Sequence, residues 1–320
     1  MKLIIQIPCL NEAESLPATL AALPKEIPGV DVIETLIIDD GSTDNTSEVA
    51  RAHGVQHIVR LTTRKGLAVV FATGLDACLK RGADIIVNTD ADGQYKGEDI
   101  PRLIEPIIAG KADIVIGNRD IENVEQFSFV KKRLQRIGSW VVRQLAQSSI
   151  EDTTTGFRAY NREAALRLNI ISNYTYTLES IIQAEHKGLA VANITIGTNH
   201  VDRPSRLFRS IPEYIKRSMI TIVRVYAMFN PFSIFLRLGS FFLIVGGVLG
   251  LRFLYYYVTT GGMGKVQSLI LTAILLIIGL LFVVIGIIAD LISANRRLIE
   301  DILLRVKKIE INQKAANKQD

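Results

Sequence analysis

Two aspartates separated by a single residue, in the segment Asp90-Ala91-Asp92-Gly93-Gln94, follow a run of β-branched residues that predicts a buried strand. Side chains two positions apart on an extended chain point to the same side, so both carboxylates could bind one divalent cation. Mg²⁺ is typically bound by one or two carboxylates, while substrate phosphates and water supply its other oxygen ligands. The motif therefore favours a cation that bridges a diphosphate, although acidic loops without a metal also follow strands in many α/β proteins.

Acidic and polar residues also follow other predicted strands in the first part of the chain. Asn11 and Glu12 come after the first β-branched run, and Asp39 and Asp40 come after the second. Strand-like runs alternate with helix-like segments: 3–7, 33–38, 57–61, 85–88 and 114–116 against 13–23, 46–53 and 68–80. This order predicts an α/β fold with a mainly parallel sheet and helices on both faces. Since such sheets bind ligands at the carboxyl ends of their strands, we expect one shared acidic cleft.

Two long apolar segments in the second half of the chain predict membrane spans. Residues 266–289 contain no charged side chain, and about 1.5 Å of rise per residue makes a helix of roughly 36 Å, which can cross a hydrocarbon core of about 30 Å. Residues 238–258 are interrupted only by Arg252, near one end. A buried hairpin in a soluble protein is the alternative, but it would need a very large core. We therefore predict transmembrane helices at 232–258 and 266–290.

Basic residues flank these predicted spans on one side. Segment 207–237 has five Lys or Arg residues against one Glu, and five more lie within 291–310, whereas the loop 259–265 has only Lys265. The positive-inside rule then places the N-terminal domain and the C-terminus in the cytoplasm, at the inner (plasma) membrane. Cys9 and Cys78 are far apart in sequence, which agrees with a reducing compartment. Because the positive charge clusters beside the spans, it fits an anionic membrane surface better than nucleic acid.

Three further regions complete the predicted organisation. Residues 1–206 form the large N-terminal domain, 207–231 an amphipathic helix in the membrane interface, and 291–320 a cytoplasmic helix with apolar residues at 3-and-4 spacing. The amphipathic segment could instead pack against the N-terminal domain. From the spans and the C-terminal helix we expect a homo-oligomer, a tetramer.

Four motifs, in their order and spacing, resemble those of the inverting glycosyltransferases of family 2, which have the GT-A fold. They are P-C-L-N-E at 8–12, D-D-G-S at 39–42, D-A-D at 90–92 and G-F-R at 156–158. The added pair of spans resembles the polyprenyl-phosphate branch, which includes dolichol-phosphate mannose synthases and bactoprenol glucosyltransferases. The resemblance covers about residues 1–210 by motif and the tail by architecture. It implies a Rossmann-like GT-A domain, a nucleotide diphosphate sugar, a polyprenyl phosphate acceptor and Mg²⁺ or Mn²⁺.

The resemblance also implies a donor site at the strand ends. The residues assigned to the nucleotide base and ribose are Pro8, Asn11, Glu12, Asp39 and Asp40. For the two aspartates the alternative is a turn or a helix cap, which Asp-Gly-Ser-Thr also forms well. The residues assigned to the cation and the diphosphate are Asp90, Ala91, Asp92 and Gln94, with an ordinary polar loop as the alternative for Gln94. Lys65 would lie near the nucleotide, or simply begin a helix in solvent.

Basic residues and one further aspartate are assigned to the reacting centre and the acceptor. Arg119 and Arg133 match anion-binding positions, with solvation at the surface as the alternative for each. Arg203 and Arg206 match a phosphate-binding loop in which arginine replaces the usual lysine, and arginine still binds phosphate through two hydrogen bonds. The alternative there is a basic cluster that touches lipid headgroups. Asp152 matches the base-like aspartate before G-F-R, or else forms a turn. With Asp92 and Arg119, Asp152 would make up the catalytic set.

A phosphate acceptor changes what such a mechanism requires. The cation and the arginines would neutralise charge on the departing nucleotide diphosphate, and carboxylates near C1 could stabilise an oxocarbenium-like state. A phosphate monoester has a second pKa of about 6 and is largely dianionic at neutral pH, so positioning could replace proton abstraction. Asp152 would then orient the acceptor or the donor sugar. A single displacement would invert the anomeric centre. On resemblance alone we expect UDP-glucose as donor, with GDP-mannose as the alternative.

Two other classes of function fit part of the pattern. A processive polysaccharide synthase shares D-D-G and D-x-D, but the sole tryptophan, Trp140, lies in R-I-G-S-W and not in Q-x-x-R-W. A non-catalytic nucleotide-binding scaffold in the membrane, partnering a lipid flippase, is the other. The pairing of Asp90 and Asp92 with the Arg206 loop favours an enzyme, for which a flippase in the same pathway is a further expected partner.

Overall fold

The computed structural model describes residues 1–119, 152–172, 175–199, 219–221, 223–224, 226–261 and 266–316. The chain divides into two compact units. One unit consists of Met1–Ile222 together with Leu303–Asp320, and the other consists of Val223–Ile302. The last residues of the chain therefore belong to the same unit as the N-terminal domain.

The first unit is built on a mixed sheet, in which seven strands are described. They are β1 (Lys2–Cys9), β2 (Val32–Asp39), β3 (His57–Arg60), β4 (Ile85–Asn88), β5 (Ile114–Arg119), β6 (Arg158–Asn161) and β7 (Val191–Ile196). Their order across the sheet is β3-β2-β1-β4-β6-β5-β7. Neighbouring strands are parallel except at β6, which runs antiparallel to β4 and β5. The predicted mainly parallel sheet is confirmed.

Helices cover both faces of this sheet, as the alternating pattern predicted. They are α1 (Leu16–Ala21), α2 (Thr46–Ala52), α3 (Leu67–Lys80), α4 (Ile100–Ile108), α5 (Arg162–Arg167) and α6 (Thr177–His186). Alternate residues of each strand enter opposite cores, because successive side chains of a strand point to opposite faces. Ile4 packs in a core with residues of α3, α5 and α6, whereas Leu3 and Ile5 pack in a core with residues of α1 and α4.

The second unit contains the helix α7 (Pro231–Thr260) and most of the helix α8 (Val266–Ala316). Both helices are long and apolar enough to cross a membrane by length and composition. A core helix of a soluble protein would be mostly buried. In the most apolar 18-residue stretch of α7 only 11% is buried, and in that of α8 only 17%. Glycines let the helices approach closely, since a β-carbon added at Gly239 would lie 2.9 Å from the carbonyl oxygen of Gly279.

Helix α8 continues without a break from the predicted span to Ala316, and its final turns are part of the first unit. Ile311 is 9% exposed and packs in the core that also contains α3, α5 and α6. Lys308 forms an ion pair with Glu163 (2.9 Å), and Lys80 forms one with Glu310 (3.3 Å). Lys308, Glu310 and Ile311 therefore pack against the N-terminal part of the first unit.

Candidate active site

The loops that follow β1 and β2 are hydrogen-bonded to each other at the carboxyl edge of the sheet. The backbone N–H of Asn11 donates to Ser42 Oγ, and that of Glu12 donates to Thr46 Oγ1, both at 2.9 Å. In return, the backbone N–H of Thr43 donates to Asn11 Oδ1 at 2.8 Å. Asn11 has a φ of 55°, which asparagine tolerates better than most residues. The first two sequence motifs are thus brought together.

Asp39, the last residue of β2, and Asp40, which follows it, are almost completely buried and accept several hydrogen bonds. Asp39 accepts from the backbone N–H of Ser42 (2.7 Å) and from the hydroxyl of Ser47 (2.5 Å). Asp40 accepts from the backbone N–H groups of Lys65 (2.6 Å) and Gly66 (3.0 Å), just before α3. Both carboxylates therefore fix the backbone around the predicted nucleotide pocket.

Asp90 and Asp92 lie on the loop after β4 and are both half-buried. The backbone of this loop is held in place, since the Thr19 hydroxyl donates to the Ala91 carbonyl oxygen at 3.0 Å and Asp92 Oδ1 accepts from the backbone N–H of Gln94 at 3.0 Å. In the described part of the chain, no three His, Cys, Asp or Glu side chains form a metal site by themselves. The two carboxylates fit a hard cation whose other ligands come from a diphosphate and water.

Arg119 and Asp152 form a buried ion pair beside this loop. Arg119, the last residue of β5, donates from Nε to Asp152 Oδ2 (2.7 Å) and from one terminal nitrogen to Oδ1 (3.2 Å) and to the Thr154 hydroxyl (2.9 Å). Asp152 also accepts from the backbone N–H (3.1 Å) and the hydroxyl (2.9 Å) of Thr154. The structure brings Arg119 and Asp152, both assigned to the catalytic set from the sequence, into direct contact, a pairing that the sequence did not predict. Their catalytic role stays a prediction.

Each member of this pair stabilises the charged form of the other. Burial by itself raises the pKa of Asp152, but the Arg119 guanidinium and the Thr154 hydrogen bonds hold that pKa below its ordinary value. Burial by itself lowers the pKa of Arg119, but the Asp152 carboxylate, with a smaller contribution from Asp90, raises that pKa above its ordinary value. Both groups are therefore ionised at neutral pH, and Asp90 is close enough to share the field of Arg119.

Two residues that shape the site, Arg158 and Tyr95, received no individual role from the sequence. Arg158 of the G-F-R motif is fully buried, and its guanidinium donates to the carbonyl oxygens of Thr155 (2.9 Å), Thr177 (2.8 Å) and Thr153 (2.9 Å). Tyr95, one residue after Gln94, accepts a hydrogen bond from the backbone N–H of Gly156 at 3.1 Å. Burial raises the pKa of Tyr95 to about 12, against the lowering effect of Arg119. The G-F-R motif marked Arg158 but not its structural role, whereas the bond between Tyr95 and Gly156 joins residues 61 positions apart, for which no local sequence pattern gives a signal.

Five further residues predicted for the site are either in other surroundings or outside the described part of the chain. Pro8 is half-buried within β1, where it pairs with Ile38 of β2. The side chain of Lys65 is exposed, and it is the backbone N–H of this residue that donates to Asp40. Arg133, Arg203 and Arg206 fall outside the described residues, as does most of the predicted interfacial helix.

The sequence and the fold both match known glycosyltransferases. Residues 4–168 match the family described as Glycosyl transferase family 2. An undecaprenyl-phosphate mannosyltransferase of Micrococcus luteus is 31% identical over 206 residues, which cover 61% of this chain and 83% of the relative. A polyprenol monophosphomannose synthase of Mycolicibacterium smegmatis is 29% identical over 204 residues, or 60% of this chain and 76% of the relative.

A solved structure supports the same fold. Glucosyl-3-phosphoglycerate synthase from Mycobacterium tuberculosis, in complex with Mn²⁺, uridine diphosphate and glucosyl-3-phosphoglycerate, superposes with a TM-score of 0.55 at 21% identity. The match covers 69% of this chain and 77% of the other. This likeness shows the GT-A fold that the motifs implied.

Proposed function

The chain belongs to glycosyl transferase family 2, and on this premise we propose that it transfers a hexose from a nucleotide diphosphate sugar to polyprenyl phosphate. The observation that carries the proposal is the carboxyl edge of the sheet, where a half-buried aspartate pair lies beside the ion pair of Arg119 and Asp152. The names of the relatives from Micrococcus luteus and Mycolicibacterium smegmatis support a polyprenyl phosphate acceptor. The two long apolar helices agree with an enzyme whose acceptor is a membrane lipid.

For the transferred sugar, we now favour mannose from GDP-mannose. Our expectation of glucose from UDP-glucose rested on resemblance alone and is not confirmed. Two curated relatives are named for mannose transfer. The relatives also include a UDP-N-acetylglucosamine-dependent enzyme of Methanococcus voltae at 28% identity, so the donor has to be tested directly.

In the proposed donor site, the interlocked loops after β1 and β2 shape the pocket for the base and ribose. Asn11 and Glu12 would face the nucleotide, while Asp39 and Asp40 keep the loops in place through their buried hydrogen bonds. Asp90 and Asp92, with Gln94 nearby, would hold Mg²⁺ or Mn²⁺, which when bound would neutralise charge on the leaving diphosphate. Structures of glucosyl-3-phosphoglycerate synthase, which has the same fold, contain Mn²⁺ or Mg²⁺ with uridine diphosphate, but the metal here is proposed from this chain's carboxylates.

The state of Asp152 supports an acceptor that needs no general base. Its carboxylate accepts hydrogen bonds from Arg119 and from both the N–H and the hydroxyl of Thr154, and its pKa lies below the ordinary value. A carboxylate in this state is a poor proton acceptor. A phosphate monoester has already lost most of its second proton at neutral pH, so it can attack without one. We therefore assign Asp152 to fixing Arg119, whose charge would lie beside the diphosphate.

The acceptor side of the proposal rests on sequence. Arg203 and Arg206 would bind the lipid phosphate, and the excess of basic residues around the spans would keep the first unit and the C-terminus on the cytoplasmic side. The homo-oligomer, a tetramer, and a flippase in the same pathway stay predictions.

The test is transfer of label into lipid. Full-length protein in detergent is incubated with polyprenyl phosphate, Mn²⁺ and either radiolabelled GDP-mannose or radiolabelled UDP-glucose, and organic-extractable label is counted. We expect extractable product with GDP-mannose. Product with UDP-glucose alone would replace mannose by glucose. No product with either donor, in protein that still binds the nucleotides, would favour the non-catalytic scaffold.

A further inference from the structure

Gly156 of the G-F-R motif lies against the carboxylate of Asp90. A β-carbon added at Gly156 would be 3.0 Å from Asp90 Oδ1 and 3.1 Å from Asp90 Oδ2, tighter than ordinary van der Waals contact. The same β-carbon would be 3.0 Å from the hydroxyl oxygen of Tyr176. The missing side chain at position 156 therefore leaves room that Asp90 and Tyr176 use together.

The backbone of Gly156 is held on both sides by side chains from around the site. Its N–H donates to the Tyr95 hydroxyl at 3.1 Å. The Gly156 carbonyl oxygen accepts a hydrogen bond from Asn88 Nδ2 at 2.8 Å. Asn88 Nδ2 also donates to the Tyr176 hydroxyl at 2.9 Å. Asn88 lies two residues before Asp90, and Tyr95 lies three residues after Asp92. The loop of the two aspartates is thus fastened to Gly156 at both of its ends.

Asn88 and Tyr176 are themselves fixed from behind. Gln6 Nε2 donates to Asn88 Oδ1 at 2.9 Å, and both side chains are fully buried. Gly74 of α3 makes space for Gln6, because a β-carbon there would lie 2.4 Å from Gln6 Oε1. The ring of Tyr176 stacks on Phe71 with centroids 3.8 Å apart and 5° between the planes. Buried, fully paired polar groups of this kind impose one arrangement on their neighbours.

We propose that Gly156, Asn88 and Tyr176 are positioning residues for the Asp90 carboxylate as a cation ligand. Gly156 leaves the space that the Asp90 carboxylate occupies. Asn88 fixes the Gly156 backbone and the Tyr176 hydroxyl beside that space through its two hydrogen bonds. The inference rests on the proposed function, since it takes Asp90 to bind the cation. Removing groups that orient a metal ligand typically costs about 10–100-fold in metal affinity.

The test measures Mn²⁺ binding directly. Full-length protein in detergent is titrated with Mn²⁺ in the presence of GDP, and separately of UDP, while free Mn²⁺ is followed by electron paramagnetic resonance. We expect Gly156→Ala and Tyr176→Phe each to raise the Mn²⁺ dissociation constant by about tenfold or more. In transfer assays the same variants should need more Mn²⁺ for half-maximal rate and recover much of the rate at saturating Mn²⁺, which a merely structural defect would not show.

Tyr160→Phe is the matched control. Tyr160 is as buried as Tyr176 and packs against the same Phe71 ring, at 5.7 Å between centroids, but the hydrogen bonds described at Gly156 do not involve it. This control should bind Mn²⁺ like the unmodified protein. If Gly156→Ala fails to fold, Tyr176→Phe decides, because it keeps the stacked ring.

The outcomes separate this inference from the proposed function. Unchanged Mn²⁺ affinity in both variants would overturn the inference and leave the proposed function standing. Weaker Mn²⁺ binding in the variants, without any lipid product from the unmodified protein, would support the inference and reject the acceptor. An unmodified protein that binds no Mn²⁺ with either nucleotide would overturn the inference together with the metal-dependent mechanism.

Discussion

The two aspartate pairs at the carboxyl edge of the sheet look alike in sequence and differ in structure. Asp39 and Asp40 are 0% and 5% exposed, and their oxygens accept hydrogen bonds from the backbone of their own and a neighbouring loop. Asp90 and Asp92 are half-buried on a loop that is held by the Thr19 hydroxyl and by one bond from the Gln94 N–H to Asp92. Asp39 and Asp40 therefore hold the loops at this edge, whereas Asp90 and Asp92 are more open to a ligand from solvent. The assignment of Asp39 and Asp40 to the nucleotide base and ribose stays a prediction.

Burial accounts for this difference in hydrogen bonding. An ionised carboxylate is costly to bury unless hydrogen bonds replace its water, and Asp39 and Asp40 have such bonds. A cation ligand must instead keep oxygens within reach of the ion and its phosphate partners. Two similar acidic motifs at one edge of a sheet can thus differ in burial, and with it in their access to a cation.

The largest expected effect comes from Asp92→Asn. The substitution keeps the shape of the side chain and its acceptor for the Gln94 N–H, but removes the charge that would hold the cation. We expect the transfer rate to fall by about 10²–10³-fold, the range for losing one electrostatic contact to developing charge, with little change in melting temperature. Radiolabelled lipid product and thermal unfolding by circular dichroism measure the two. Unchanged product would contradict a role in cation binding.

Asp40→Ala should lower the stability of the fold and leave cation binding intact, the opposite of what is expected for Asp92→Asn. It removes the charged acceptor of the partly buried N–H groups of Lys65 and Gly66, and a hydrogen bond to a charged group contributes about 1.5–3 kcal/mol. We expect a clear loss in the free energy of unfolding, while Mn²⁺ binding by the folded protein is retained. Denaturant titration with parallel Mn²⁺ binding checks this. If Asp40→Ala lost Mn²⁺ binding without losing stability, the distinction between the pairs would be wrong.

The sequence predicts most of the strands and the positions of the acidic residues, but not which of those residues are buried. The β-branched runs predicted β1 to β5 within a few residues, because buried parallel strands need such side chains. The short strand β6, Arg158–Asn161, has no β-branched residue, and its pairing with β4 and β5 is set by tertiary context. The motifs placed Asp39, Asp40, Asp90 and Asp92 at strand ends, but hydrogen bonds between distant segments decide which pair is buried.

A smaller effect, which changes with pH only in acid, is expected from Asp152→Asn. Because the folded-state pKa of Asp152 lies below the unfolded value of about 3.9, its ion pair with Arg119 contributes fully above that pH and is lost as the pH falls through the folded-state pKa. The difference in melting temperature between the unmodified protein and Asp152→Asn should be constant above about pH 5 and shrink in more acid solution. Thermal unfolding across pH 3–7 measures it. A difference that does not change with pH would show that the carboxylate is not stabilised as an anion.

The smallest effect is expected from Lys65→Ala. The side chain of Lys65 is exposed, and its backbone N–H, which the substitution keeps, is the group that binds Asp40. An exposed charge contributes up to about 1 kcal/mol, so the KM for the nucleotide sugar should rise by less than about fivefold. Steady-state kinetics with varied donor tests this. A much larger rise would give Lys65 a direct contact with the nucleotide and extend the ligand-facing region beyond Asp90 and Asp92.

The most direct test of the account is the location of the cation. Crystals of the full chain grown with Mn²⁺ and GDP, measured at a wavelength where manganese scatters anomalously, would show it. The account predicts an anomalous peak within ligand distance of Asp90 and Asp92, about 2.0–2.6 Å from their oxygens, and no peak at Asp39 and Asp40. A peak at Asp39 and Asp40, or none near Asp90 and Asp92 with nucleotide bound, would contradict it.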